Sequence, residues 1–230
     1  KQENILITDR YNREIDYIRI SITDRCNLRC KYCMPEEVPF IPHERILRYE
    51  EILRIVKILA KLGIRKVKLT GGEPLVRRGC DSLIREIKQI EGIDMVTLTT
   101  NGVLLEEMLP QLQEAGVDAI NVSLDTRNRA RYLEVTGKDM YEQVERGIEA
   151  VYKSGIPLKI NCVPVQGVNI DEIPDFFTYP ALFTDSVFPL RSFHRPLVRS
   201  GRHILTSSIR KEHYRLHRRC KPDMAAVRPV

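Results

Sequence analysis

The 230-residue sequence contains no run of about 18 uncharged apolar residues, so no transmembrane helix is expected and no membrane partner is implied. Its first twenty residues, KQENILITDRYNREIDYIRI, are polar and charged and lack the apolar core of a secretory signal. Nor are the six cysteines spread as a disulfide framework would spread them. They stand at 26, 30, 33, 80, 162 and 220, three of them within eight residues. Clustered thiols without a signal sequence point to a metal or redox site in a reducing compartment, and a cytoplasmic location is expected. Residues 178–230 show no internal repeat.

The positive balance of +6 is not shared along the chain. Residues 178–230 hold 11 Lys and Arg against 3 Asp and Glu, whereas residues 1–177 hold 26 against 28. The basic character belongs to the tail, which also holds four of the five histidines. No aromatic interleaving accompanies its arginines, so a nucleic-acid partner is not expected from charge alone.

Up to residue 176 the hydropathy pattern alternates between two periods. Strands are expected at 17–22, 66–70, 95–99, 118–124 and 157–163, where β-branched residues crowd short runs. Helices are expected at 49–62, near 80–90, at 103–115 and at 140–154. In the first of these, Ile52, Ile55, Val56, Leu59 and Leu62 make one stripe ended by Gly63. The order βαβαβαβαβ with right-handed crossovers predicts an α/β fold of parallel strands with outer helices. A partial (β/α) barrel, incomplete at the C-terminus, is the expected architecture, with an open doubly wound sheet as the alternative. A sixth strand would have to follow residue 176. The expected division is a domain over 1–176 and a basic tail over 177–230. Ligands of either architecture gather at the carboxyl ends of the strands.

The first strand leads into Cys26-x3-Cys30-x2-Cys33. Three thiolates on a four-iron cluster leave one iron open, as a catalytic centre requires. Zinc is one rival reading, but it wants a fourth ligand, and the nearest candidate, His43, fits no common spacing; unbound thiols are the other. After the second strand comes Gly71-Gly72-Glu73-Pro74. Paired glycines there suit either a backbone that approaches a ligand or a plain strand-to-helix turn. Three cations, Arg19, Lys68 and Lys159, each interrupt an apolar strand. In a sheet covered on both faces, each would be costly unless it met an anionic ligand or paired with an internal acid such as Glu73 or Asp125, and the residues alone leave both open. Cys80 and Cys162 read as small buried residues, and Arg77-Arg78 and Arg65-Lys66 as solvated turns and helix ends.

Cys-x3-Cys-x2-Cys with Tyr32 before the last cysteine resembles the signature of the radical S-adenosylmethionine (SAM) superfamily. The ordered set IRISITDRCNLRCKYCMP, KVKLTGGEPLVRR, LTTNG, INVSLD and KINCVPVQGVN resembles the MoaA family within it, the GTP 3′,8-cyclases of molybdenum-cofactor biosynthesis. The likeness spans about residues 5–176. It implies a radical SAM partial barrel and a lyase/cyclase with one [4Fe-4S] cluster on Cys26, Cys30 and Cys33. It further implies SAM contacts at Tyr32, Gly71, Gly72, Glu73 and Ser123, and GTP contacts at Arg19, Lys68, Thr99 and Lys159. The implied product is (8S)-3′,8-cyclo-7,8-dihydroguanosine 5′-triphosphate. The implied partners are an electron donor such as flavodoxin or ferredoxin, and cyclic pyranopterin monophosphate synthase downstream.

The tail departs from that pattern. The family binds a second cluster through three more cysteines and ends in Gly-Gly, while only Cys220 lies beyond 162 here. The break near 176–178, with its rise in Arg, His and Ser, is what a frameshifted or truncated product would show. SAM cleavage largely uncoupled from GTP cyclisation is the expectation that follows. Two alternatives stay open: a radical SAM enzyme with a peptide or small-molecule substrate, and an inactive remnant with a nucleic-acid-binding tail.

Overall fold

In the computed structural model, residues 7–33 and 40–178 are described. Five parallel strands form one sheet: β1 (Tyr17–Ser21), β2 (Lys66–Thr70), β3 (Met95–Thr100), β4 (Ala119–Ser123) and β5 (Leu158–Asn161). Their spatial order is β1-β2-β3-β4-β5, the order of the chain. A doubly wound sheet reverses direction at a switch point. This sheet never does, so the partial barrel holds and the open doubly wound alternative falls. Any sixth strand and the tail over 179–230 lie outside the described residues.

Four helices cross between or after the strands where periodicity places them: α1 (Tyr49–Lys61), α2 (Cys80–Lys88), α3 (Leu105–Glu114) and, after an additional α4 (Arg129–Thr136), α5 (Tyr141–Ser154). A short α6 (Ile173–Thr178) follows β5. Helix α1 starts on a reciprocal cap in which Glu51 accepts from Arg48 N at 2.7 Å, and two acidic residues in its first turn suit the helix dipole. Its core face is rotated from the expected stripe. Ile52, Leu53 and Val56 are buried, while Ile55 and Ile58 stand exposed. The sheet meets the i, i+1, i+4 edge of the stripe, which the apolar count alone does not distinguish. Among the described residues no helix is long and apolar enough to cross a membrane.

The two faces of the sheet differ residue by residue. On the helix side Val67, Leu69, Val96, Leu98, Ile120 and Val122 are at most 1% exposed. They pack on Leu83, Ile84 and Ile87 of α2, Leu105 and Leu112 of α3, and Val144 and Ile148 of α5 in one core. Burying each such side chain contributes about 1.5–3 kcal/mol. The alternate residues point the other way and are mostly polar. The expectation that Lys68 lies in a strand buried between helices is therefore corrected. Each cation takes the out-of-core position of an alternating strand, and no buried-charge penalty is incurred.

Candidate active site

Because all five strands are parallel, their carboxyl ends open at one edge. Strand pairing also fixes which side chains are neighbours. Arg19 on β1 lies in register with Lys68 on β2, and Lys68 with Thr97 on β3. Two residues further along, Thr99 is in register with Asn121, and Asn121 with Lys159 on β5. Ser123 ends β4 beside Asn161. Adjacent strands lie about 4.8 Å apart. Arg19, Lys68, Thr99, Lys159 and Ser123 thus share the polar face, the three cations one short step below the strand ends.

At the mouth, residues 22–33 carry the cysteines. Ile22 N continues the sheet by donating to Thr70 O at 2.9 Å. The Gly-Gly turn then pairs with the loop: Gly72 N donates to Thr23 O at 2.7 Å and Glu73 N to Arg25 O at 2.8 Å. A side chain at either glycine would collide with that backbone. A Cβ on Gly71 would sit 2.5 Å from Thr23 O, and one on Gly72 would sit 2.4 Å from Arg25 O. Within the chain itself, the glycines are required by contact with the cysteine loop. Arg77 is no solvated turn residue either. It donates to Ile22 O at 2.5 Å and Leu47 O at 2.8 Å, and lies 4.1 Å over the Tyr49 ring.

The far end of the loop is held by α4, which apolar periodicity did not reveal. Arg29 N donates to Thr136 O at 2.9 Å and Lys31 N to Val135 O at 3.0 Å, so the last carbonyls of α4 are satisfied by the cysteine loop. The signals for α4 were its caps: Asn128 accepts from Arg131 N at 3.1 Å, and Gly137 ends the helix at φ 73°.

Cys26 and Cys30 are half-buried and Cys33 is exposed. Burial pushes the Cys26 thiol up, and burial together with the Cys33 and Cys26 sulfurs pushes Cys30 up to about 12. The three sulfurs are near enough to feel one another, and metal uptake would release their protons. Cys26 Sγ accepts from Leu28 N at 3.4 Å and from Asn101 Nδ2 at 3.7 Å. Tyr132 of α4 is 2% exposed, its hydroxyl makes no hydrogen bond of good geometry, and burial, then the Cys30 sulfur, push it up while Thr136 holds it down.

Among the described residues no three His, Cys, Asp or Glu are gathered as ligands of one metal ion, and His43 is exposed. A single tetrahedral ion would draw sulfurs to about 3.8 Å of one another, given 2.3 Å bonds. A cluster asks less, since each thiolate takes its own iron. By its chemistry, three thiols carried on one loop, the donor set suits an iron–sulfur cluster.

Tyr32 is exposed at the site and its hydroxyl donates to Asp125. Asp125 follows β4 and also accepts from Val163 N at 2.9 Å. Burial pushes its carboxyl up, while those two bonds hold it down. Glu73 is 1% exposed and its carboxylate is fully engaged, accepting from Leu75 N at 3.0 Å, Thr100 Oγ1 at 2.8 Å and Asn101 N at 2.6 Å. Asn101, Asp125 and Tyr132 were missed as site residues, because their partners are distant in sequence.

A family model described as the radical SAM superfamily matches residues 20–179. The sequence is 49% identical over 170 residues to a GTP 3′,8-cyclase of Petrotoga mobilis, covering 73% of this chain and 53% of that protein. It is 45% identical over 172 residues to molybdenum cofactor biosynthesis protein 1 of Bos taurus, covering 74% of this chain and 27% of that one. The chain spans about half the length of the GTP 3′,8-cyclases it matches. Among solved structures, native anSMEcpe with bound AdoMet and Kp18Cys peptide superposes with a TM-score of 0.57 at 22% identity, covering 72% of this chain and 48% of that one. At that identity the likeness speaks for the fold alone.

Proposed function

The chain belongs to the radical SAM superfamily, and on that premise we propose that it holds one [4Fe-4S] cluster on Cys26, Cys30 and Cys33 and cleaves SAM to act on GTP. When bound, cluster and SAM together supply a one-electron cleavage that yields a carbon radical able to take hydrogen from a substrate. The chain's own residues do the rest. Tyr32, the main chain of Gly71, Gly72 and Glu73, and Ser123 border the space beside the cysteines where SAM would lie. Since the Glu73 carboxylate is committed inside the protein, its offering to SAM is main chain.

The observation that carries the GTP reading is the placement of Arg19, Lys68 and Lys159 on the one polar face beneath the cysteine loop. Cations arrayed there suit a triphosphate. A peptide gives no reason for three of them, so the peptide reading is the weaker. The relatives named GTP 3′,8-cyclase support the same choice. An electron donor such as flavodoxin or ferredoxin, and a cyclic pyranopterin monophosphate synthase downstream, complete the proposal.

The test is anaerobic reconstitution with iron and sulfide, then reduction with SAM and GTP. About four irons per chain and release of 5′-deoxyadenosine are expected. Cyclised GTP counted against 5′-deoxyadenosine measures how far the two steps are coupled in this chain. A reconstituted protein that binds iron but never yields 5′-deoxyadenosine would overturn the proposal.

A further inference from the structure

Asn101 sits at the end of β3, in the turn that closes on the cysteine loop. Its main chain is fixed by the bond from Asn101 N to the buried Glu73 carboxylate at 2.6 Å. Its side chain is oriented by Val103 N, which donates to Asn101 Oδ1 at 3.1 Å. That bond settles which end of the amide is the oxygen, so Nδ2 faces the loop. There it donates to Asn27 Oδ1 at 2.7 Å and to Cys26 Sγ at 3.7 Å. Leu28 N also donates to that sulfur, at 3.4 Å. The turn needs only Oδ1; the direction of Nδ2 serves the sulfur and its neighbour.

We propose that Asn101 is a positioning residue that sets the reduction potential of the cluster through its hydrogen bond to Cys26 Sγ. The inference rests on the cluster reading of the three cysteines given above. A donor to a cluster sulfur favours the more negative, reduced state and so raises the potential. Reduction adds one electron, supplied by the external donor, and no bond at Asn101 forms or breaks covalently. The polypeptide thereby links the β3 turn to the ease with which the site accepts its electron.

The test compares the reconstituted full chain with Asn101→Ala and Asn101→Asp by spectroelectrochemical titration, with iron content and the visible absorption of each sample measured first. Asn101→Ala removes the donor. Asn101→Asp keeps an oxygen for Val103 N but turns an acceptor and a charge toward the sulfur. The expected order of potentials is wild type, then Asn101→Ala, then Asn101→Asp. Loss of the donor should cost roughly tenfold in the reduction equilibrium, which is about 59 mV for one electron. Variants that hold wild-type iron at an unchanged potential would overturn the proposal. Failure of both variants to hold a cluster would assign Asn101 to folding of the turn and overturn it equally. A wild-type chain that takes up no iron would instead remove the cluster reading beneath it.

Discussion

The two faces of the five-stranded sheet follow one rule of alternation and end with opposite jobs. Toward the helices, β2 to β4 present Val67, Leu69, Val96, Leu98, Ile120 and Val122, all but sealed from water. Toward the other side the same strands present Lys68, Thr97, Thr99 and Asn121, with Arg19 and Lys159 beside them. Stability resides in the first face, and the proposed ligand contacts lie on the second. Substitutions are expected to cost most on the helix side and least at the cations of the polar face, although Thr97 and Asn121 there are also buried. The cysteines divide in the same way: Cys80 and Cys162 are sealed in the core, and Cys26, Cys30 and Cys33 lie at the mouth.

That division is broken most directly at the thiols. Replacing Cys26, Cys30 or Cys33 by Ala should abolish release of 5′-deoxyadenosine from SAM, with thermal unfolding of the iron-free protein little changed. Cys80→Ala should retain the reaction. Product formed by any of the first three variants would show that catalysis does not depend on the mouth cysteines.

A pair of substitutions one register step apart on neighbouring strands compares the faces themselves. Leu98→Ala should cost about 2–5 kcal/mol of stability, because a fully buried side chain leaves a cavity in the core. Lys68→Met, one strand away on the polar face, should change stability by less than about 1 kcal/mol. It should weaken GTP binding at least about tenfold through loss of a charge-assisted contact. Denaturant melts and equilibrium dialysis of GTP measure the two. Equal destabilisation by both would mean that the polar face is a second core.

At the join between loop and turn a smaller effect is expected. Gly72→Ala places a Cβ against Arg25 O, and relief requires the cysteine loop to shift. Overpacking of this kind costs about 1–3 kcal/mol. A shifted loop should also lower iron retention on dialysis. Unchanged melting and iron content would show that the turn and loop are not in the contact described.

Much of this arrangement was legible in the sequence because it is local. Each strand and the four long helices announce themselves by period, and the sequential sheet follows from the alternation. The face of α1 was not legible: Leu53 and Ile55 are equally apolar, and only the sheet decides between them. Helix α4 was missed because Tyr132 and Val135 alone make too weak a stripe, while its caps, Asn128 and Gly137, were there to be read. The role of the glycines was half legible. Their need for close approach was clear, but the partner, the backbone of Thr23 and Arg25, lies about fifty residues away. Separations of 55 and 75 residues likewise hide Arg77 on Ile22 O and Asn101 on Cys26. Side-chain bonds across strand ends leave no periodic trace.

The smallest expected effect separates a core thiol from the mouth thiols by pH. Cys80 is fully buried at the start of α2, and burial, then the Glu73 and Asp81 charges, push its thiol from 9.0 up to about 12. The folded chain therefore holds this proton more tightly than the unfolded one. Its contribution is complete below the unfolded value near 9 and is lost as pH rises from there through about 12. Near pH 10 the loss from one such thiol is on the order of 1 kcal/mol. Cys80→Ala removes that titration. The variant should be less stable than wild type at pH 7, where it has lost a small buried side chain, and the gap should narrow by about 1 kcal/mol between pH 8 and pH 10. Titrations of groups that Cys80 does not touch drop out of the difference, and Tyr49, on which the Cys80 charge acts, is pushed up first by burial, which both proteins share. Denaturant melts of the iron-free pair at the two pH values measure it. A gap that stays constant would mean that water reaches Cys80 in the folded state, and the sealed helix-side core would have to be redrawn at α2.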